Sequence, residues 1–160
     1  MSNNIKYGVI GVGHLGVFHL QQIKRFQVVD FVGIFDINKK RVDEIAKQEN
    51  VRSFKHINKL LKLCDAVSVV TPTNTHSEIS LLALQNFCHV FIEKPIANNY
   101  IEASKIISLA NKNKLKLQVG HIERFNPAFQ MFLSCNPKPL FIESHRLASY
   151  NDRGLDVNVV

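Results

Sequence analysis

The sequence predicts an α/β fold, a doubly wound parallel sheet with helices on both faces. Three observations predict it. Short apolar runs alternate with stretches of helical periodicity along the first 120 residues. A glycine-rich turn joins the first apolar run to the first helical stretch. An acidic residue closes the second apolar run at the distance from that turn expected of a nucleotide-binding unit.

Ile5–Ile10 reads as the first strand. Gly11-Val12-Gly13-His14-Leu15-Gly16 follows at once and opens a helix over residues 14–26. This is the strand, glycine turn and helix that a pyrophosphate requires. Gly11 permits the tight turn, Gly13 lets the backbone approach phosphate oxygens, and Gly16 lets the helix pack close to the strand. The helix N-terminus then offers free N–H groups and the positive end of its dipole to the anion. The layout is that of a Rossmann dinucleotide site, with Gly11, Gly13, His14, Leu15 and Gly16 as candidate cofactor contacts. The second strand, residues 28–36, ends in Asp36, 20 residues past Gly16. A carboxylate there accepts hydrogen bonds from a ribose 2′-hydroxyl and repels a 2′-phosphate. NAD is therefore expected over NADP, with Lys39, Lys40 and Arg41 close enough in sequence to soften the repulsion.

The remaining elements follow in turn. Asn38 is placed to cap a helix through residue 48. Residues 51–54 make a short third strand at the edge, and 57–63 one or two helical turns. Residues 66–70 are apolar but for Ser68 and rich in β-branched valine, a fourth strand buried on both faces. Asn74 or Thr75 caps a helix through residue 86, with Ile79, Leu82, Ala83 and Phe87 near helical spacing. Residues 88–92 are the fifth strand. Asn98 or Asn99 starts a helix to residue 112, with Ile101, Ile106, Ile107 and Leu109 facing inward. Residues 115–119 are the sixth strand. Residues 1–120 thus form one complete dinucleotide-binding domain. Residues 121–160 read as the start of an incomplete, truncated α+β second domain: a helix over 127–135 with Pro127 in its first turn, a break at Pro137 and Pro139, and a strand over 140–150.

Composition narrows the function classes. Apolar content of 46% and charged content of 21% fit an ordinary globular protein, and no run is long enough to span a membrane. The first strand starts too early for a secretory signal, and Cys64, Cys88 and Cys135 show no paired spacing, so a cytoplasmic setting with free thiols is expected. The net charge of +7 is spread over surface helices rather than gathered in a patch, which argues against nucleic acid. The histidines show no metal-ligand spacing, and no metal is expected.

Three further segments fall at the carboxyl ends of strands, where such sheets bind ligands. Thr71, Pro72, Thr73, Asn74 and His76 lie after the fourth strand. Their hydroxyl and amide groups fit the nicotinamide half of a site and equally fit helix capping. Glu93-Lys94-Pro95 follows the fifth strand. Lys94 is the candidate catalytic residue, its ammonium placed to bond a substrate hydroxyl and ease loss of its proton; the alternative is a surface lysine. Pro95 is cis or trans with nothing in the sequence to decide. After the sixth strand, Arg124 can grip a phosphate or carboxylate, and Asn126 fits either a substrate contact or a helix cap.

Taken together, Gly11, Gly13, Gly16 and His19 as G-x-G-x-x-G-x-x-H, Asp36, the segment from Thr71 to His76, Glu93-Lys94-Pro95 and the segment from Gly120 to Pro127 resemble the Gfo/Idh/MocA family of NAD(P)-dependent sugar oxidoreductases. The resemblance implies NAD as cofactor, a sugar or nucleotide-sugar substrate, and a substrate-contacting, catalytic-site role for Lys94, with Glu93 beside the cofactor. Gly120 to Pro127 and Asp152 to Val157 are most similar to members that oxidise C3 of UDP-N-acetylhexosamines. Family members run to roughly twice this length, and the resemblance places an Asp and a His of the catalytic set in a helix beyond Val160. Two expectations follow: a sugar dehydrogenase present as its cofactor domain plus a stub, or a non-catalytic nucleotide-binding module needing a separate partner chain. The apolar tail over 140–160 is expected to pair with a second copy as a homodimer, or else to stay mobile.

Overall fold

The computed structural model describes residues 4–136, 138–143, 145 and 147. Residues up to Gly120 form one compact unit and those from His121 a second. The first unit contains β1 (Ile5–Ile10), α1 (His14–Ile23), β2 (Val29–Phe35), α2 (Lys39–Glu49), α3 (Ile57–Leu61), β3 (Ala66–Val69), α4 (Thr73–Gln85), β4 (His89–Ile92), α5 (Tyr100–Lys112) and β5 (Leu117–Val119). The sheet is parallel throughout, in the order β2-β1-β3-β4-β5. The chain order reverses direction between β1 and β3, and their carboxyl ends flank the crevice where such sheets bind ligands.

Strand alternation sorts the core into two layers. Val9 points to one face and packs with Leu20 of α1 and with Val42 and Ile45 of α2. Ile10 points to the other, with Leu60 and Leu61 of α3, Ala83 and Leu84 of α4, and Ile106 and Ala110 of α5. Every residue of β3 is buried, as a central parallel strand requires, and the one polar member, Ser68, pairs its hydroxyl with that of Tyr7. Each fully buried Leu or Ile removes enough apolar surface from water to contribute about 1.5–3 kcal/mol.

Several expectations need correction. The sheet has five strands, not six. Residues 51–54 make only an isolated bridge, Ile34 to Ser53, held by Ile34 N–H to the Arg52 carbonyl and Phe54 N–H to the Ile34 carbonyl, both 2.9 Å. The chain approaches β2 only beside Gly33, where a Cβ would lie 2.4 Å from the Arg52 carbonyl oxygen. Helix α1 stops at Ile23 rather than residue 26. Ile101 and Ile107 on α5 are exposed and only Ile106 is fully buried, so the helix turns a narrower face inward than expected. Phe87 lies beyond the end of α4 and is exposed.

Four helices are followed by a residue in the left-handed region that is not glycine: Asn50, Phe87, Lys114 and Asn136, with φ between 47° and 60°. The second unit holds a 3₁₀ turn (Ile122–Phe125) and α6 (Pro127–Ser134), with Pro127 in the first turn of α6 as expected. Among the described residues from Leu140 onward none is in a strand, so the expected strand over 140–150 does not begin there; its remaining residues, and the apolar end of the chain, lie outside the described residues. No helix of the described residues is long and apolar enough to cross a membrane.

Candidate functional site

The glycine loop is shaped by contacts that leave no room for side chains at two of its three glycines. Gly11 has φ +88°, and a Cβ there would lie 2.5 Å from the Val70 carbonyl oxygen. A Cβ on Gly16 would lie 1.9 Å from the Gly11 carbonyl oxygen, so helix and strand touch at backbone distance. Gly13 differs. It is exposed, and a Cβ built on it meets no protein atom within 4 Å. Gly13 is also the N-cap of α1, with no side-chain hydrogen bond to the first turn. His14 and Leu15 are exposed in that turn, and the His14 ring packs edge-on to Phe18. An uncapped helix start beside open space is a place for an anion.

Asp36, just past β2, fastens this loop. Its Oδ2 accepts from the Val12 N–H at 2.8 Å, and its Oδ1 from the Asn38 N–H at 2.9 Å. Arg41 Nε donates to the Val12 carbonyl at 3.2 Å, so the loop is held from both β2 and α2. Asn38 caps α2 as expected, its side chain accepting from the Arg41 N–H.

After β3 the arrangement departs from expectation. Helix α4 starts at Thr73 with Pro72 as N-cap, and neither Asn74 nor Thr75 caps it. The Thr75 hydroxyl turns back instead, 2.8 Å from both the Thr71 hydroxyl and the Pro72 carbonyl. Thr73 is buried, while Pro72 and Asn74 are exposed at the sheet edge. His76 is 1% exposed. Its Nδ1 lies 2.8 Å from the Pro95 carbonyl and its Nε2 2.8 Å from the Thr71 carbonyl. Both ring nitrogens are engaged, so His76 braces the loops after β3 and β4 and keeps neither nitrogen for a ligand.

Glu93 and Lys94 follow β4 at the same edge, and the Lys94–Pro95 bond is cis. Lys94 is exposed. Glu93 Oε1 lies 3.0 Å from His19 Nε2, and Oε2 accepts from the Lys94 N–H at 3.1 Å. The hydrogen bond from His19, with the Lys94 backbone and the neighbouring charges, outweighs burial and holds the Glu93 carboxyl below its ordinary range. His19 is the residue whose role the sequence reading missed. The signal was there: Gly16 and His19 are three apart on α1, so both face the sheet.

Gly11, Asp36, Thr71 and Lys94 therefore follow four successive strands at one edge of the sheet. Arg124 and Asn126 belong to the second unit, and both are exposed. Asn126 caps α6, its Oδ1 accepting from the Ala128 N–H, while its amide donates to Glu123. The Arg124 carbonyl accepts from the Gln130 side chain. Burial pushes the Cys64 thiol up to about 12 and the Cys88 thiol to about 11, so both stay protonated. Among the described residues no group of three or more His, Cys, Asp or Glu side chains is arranged to hold a metal.

This fold and this loop are those of a dinucleotide-binding α/β domain. The chain belongs to the Gfo/Idh/MocA oxidoreductase family with the NAD-binding Rossmann fold, which its residues 5–121 match. It is similar to UDP-N-acetylglucosamine 3-dehydrogenase of Acidithiobacillus ferrooxidans, 40% identical over 158 residues, covering 98% of this chain and 50% of that protein. A solved structure of that enzyme superposes with a TM-score of 0.79, covering 82% of this chain and 43% of the other. Myo-inositol 2-dehydrogenase of Thermotoga maritima is 30% identical over 129 residues, covering 79% of this chain and 39% of that protein. The chain thus spans about half the length, or less, of the curated relatives it matches.

Proposed function

We propose that this chain supplies the cofactor-binding half of an NAD-dependent oxidoreductase that acts on a hydroxyl carbon of a sugar or nucleotide sugar. The observation that carries the reading is the meeting of three features at one sheet edge: the uncapped start of α1 beside open space at Gly13, the Asp36 carboxylate, and the exposed Lys94. The first two fit a dinucleotide. The amides at the start of α1 suit a pyrophosphate, and Asp36 keeps acceptor capacity beyond its two backbone bonds for a ribose hydroxyl. NAD is favoured over NADP because a 2′-phosphate would bring negative charge to Asp36.

Bound there, NAD supplies the hydride acceptor. The chain's own groups hold and orient. The Thr71 to Asn74 edge would face the nicotinamide half, and Lys94 would donate a hydrogen bond to the substrate hydroxyl oxygen. An ammonium in that place favours the deprotonated hydroxyl and so eases loss of its proton. The similarity to a UDP-N-acetylglucosamine 3-dehydrogenase makes a nucleotide sugar the first substrate class to test, with Arg124 as a candidate phosphate contact.

A second reading, a nucleotide-binding module without turnover of its own, draws on a separate observation. None of the described residues from His121 onward is buried, so that stretch by itself forms no enclosed sugar pocket. Positioning and proton transfer each contribute several orders of magnitude in rate. The 160-residue chain alone is therefore expected to bind NAD with no useful turnover. Calorimetric titration with NAD and NADP, followed by an assay for NADH formation from UDP-sugars, separates the outcomes. Tighter binding of NADP would overturn the Asp36 assignment. Brisk NADH formation would overturn the second reading, and no binding of either dinucleotide would overturn both.

A further inference from the structure

Glu93 and Lys94 sit in a clasp that links them to the helix of the glycine loop. Its parts come from three elements of the first unit. His19 projects from α1, one turn beyond Gly16, whose backbone contact with Gly11 docks that helix against β1. Its ring meets Phe91 of β4 edge-on at 5.3 Å, which sets the ring plane, and its Nε2 reaches Glu93 Oε1 at 3.0 Å. The other carboxylate oxygen of Glu93 accepts from the Lys94 N–H. Gly120, just after β5, completes the arrangement: a Cβ there would lie 2.8 Å from Glu93 Oε1 and 3.0 Å from Oε2, so the absence of a side chain makes space for the carboxylate. On the far side of Lys94, the Pro95 carbonyl is held by His76.

We propose that His19 is a positioning residue: acting through the Glu93 carboxylate, it fixes the Lys94 peptide relative to helix α1, so that the lysine and the helix that receives the dinucleotide keep one geometry. The physical case is one of degrees of freedom. Glu93 has three side-chain torsions and follows the last residue of β4, with its side chain 13% exposed. Left alone it would spread over several rotamers, and its contact with the Lys94 amide would be intermittent. A hydrogen bond from His19 to one oxygen leaves the other aimed at that amide. The contact is charge-assisted, the stronger kind. The part concerning Lys94 as a substrate contact rests on the function proposed above; the clasp itself does not.

The clasp is read out at the Lys94 amide. Hydrogen exchange of that amide is followed by NMR on the full 160-residue chain labelled with ¹⁵N-lysine, its signal assigned by loss in Lys94→Arg. In His19→Leu the amide is expected to exchange about tenfold faster than in the parent, the loss of one hydrogen bond to a charged group. His19→Gln keeps a donor toward Glu93 and is expected to restore most of the protection. Gly120→Ala leaves His19 untouched, and its methyl group displaces only the flexible end of Glu93. It is expected to speed exchange as His19→Leu does, with an unchanged melting temperature. If His19 merely fills space, His19→Leu leaves the Lys94 amide as in the parent, and that result overturns the proposal; an unchanged amide in Gly120→Ala overturns it too, because the Glu93 carboxylate then does not hold that amide. Should His19→Leu fail to fold, His19→Phe, which keeps a ring against Phe91 and has no donor, takes its place beside His19→Gln. A second arm adds NAD: protection at Lys94 is expected to rise in the parent and less in Gly120→Ala. Failure of NAD to bind by calorimetry would count against the dinucleotide reading and leave the ligand-free exchange to judge the clasp.

Discussion

Gly13 stands where a side chain would meet no protein atom within 4 Å, so the folded chain has no reason of its own to exclude one. That separates folding from binding at a single position. Gly13→Val is expected to melt within a few degrees of the parent and to lose NAD binding by more than about 100-fold in calorimetry, because the methyl groups occupy the approach to the pyrophosphate. Unchanged affinity would remove the glycine loop from the site. Glu93 carries a second residue-scale expectation. Its carboxyl is held below its ordinary value of 4.5, first by the hydrogen bond from His19. The folded state then binds fewer protons than the unfolded chain as acid is added. The contribution is fully present above about pH 4.5 and is lost as pH falls through the lowered folded value. Urea midpoints measured on descending pH should therefore fall more steeply in the parent than in Glu93→Gln. Parallel curves would show that the pair contributes nothing to acid stability.

At the scale of elements, α1 meets the turn that leaves β1 at backbone distance. A Cβ on Gly16 at 1.9 Å from the Gly11 carbonyl oxygen cannot be relieved by a side chain moving, because both atoms belong to backbone. Gly16→Ala is expected to lower stability by roughly 1–3 kcal/mol in denaturant unfolding, by prising the helix from the strand. A variant as stable as the parent would mean that the helix can shift freely. This joint was legible in the sequence, because spacing alone prescribes it: three glycines at fixed intervals after an apolar run, and Asp36 after the next. The central strand β3 was legible for the same reason, since residues buried on both faces must all be apolar or small. Other features were hidden because they depend on distant partners. The clasp joins His19 to Glu93 across 74 positions, and no local pattern announces it. The start of α4 was misplaced because Thr75 can either cap a helix or turn back on Thr71 and Pro72, and only the folded loop chooses. Residues 51–54 have strand composition, yet they meet β2 at a single bridge. Whether β-branched residues pair depends on the edge presented to them, not on their own propensity.

For the whole molecule, the two units differ in how they treat apolar surface. The first encloses two core layers about its sheet. The second leaves Phe125, Phe129, Met131, Phe132, Leu140 and Phe141 exposed. A surface of that kind favours covering by another copy or another chain. Light scattering on the full chain is expected to show concentration-dependent self-association that a chain ending at Asn136 shows more weakly. Equal monomeric masses for the two at all concentrations would sink the idea that the tail drives association. This half of the chain was also the harder to read in advance. Its helix was legible from Pro127, but a strand is defined by its partner, and no described residue from Leu140 onward has one.

Four of the helices end on a left-handed residue that is not glycine, although seven glycines occur elsewhere in the chain. Asparagine tolerates that conformation, so Asn50 and Asn136 sit easily. Phe87 and Lys114 do not, and a side chain in that region costs about 1–2 kcal/mol per residue. The ring of Phe87 is 70% exposed and returns little packing for the strain. The molecule therefore carries unclaimed heat tolerance at two points where no proposed ligand contact lies. Phe87→Gly and Lys114→Gly are each expected to raise the melting temperature by roughly 2–4 °C after the added flexibility of the unfolded chain is subtracted. Calorimetric scans of the two variants and their combination check this; both helix ends bond the Leu84 carbonyl, through the Phe87 N–H and the Asn113 side chain, so the combined gain is expected to depart from the sum.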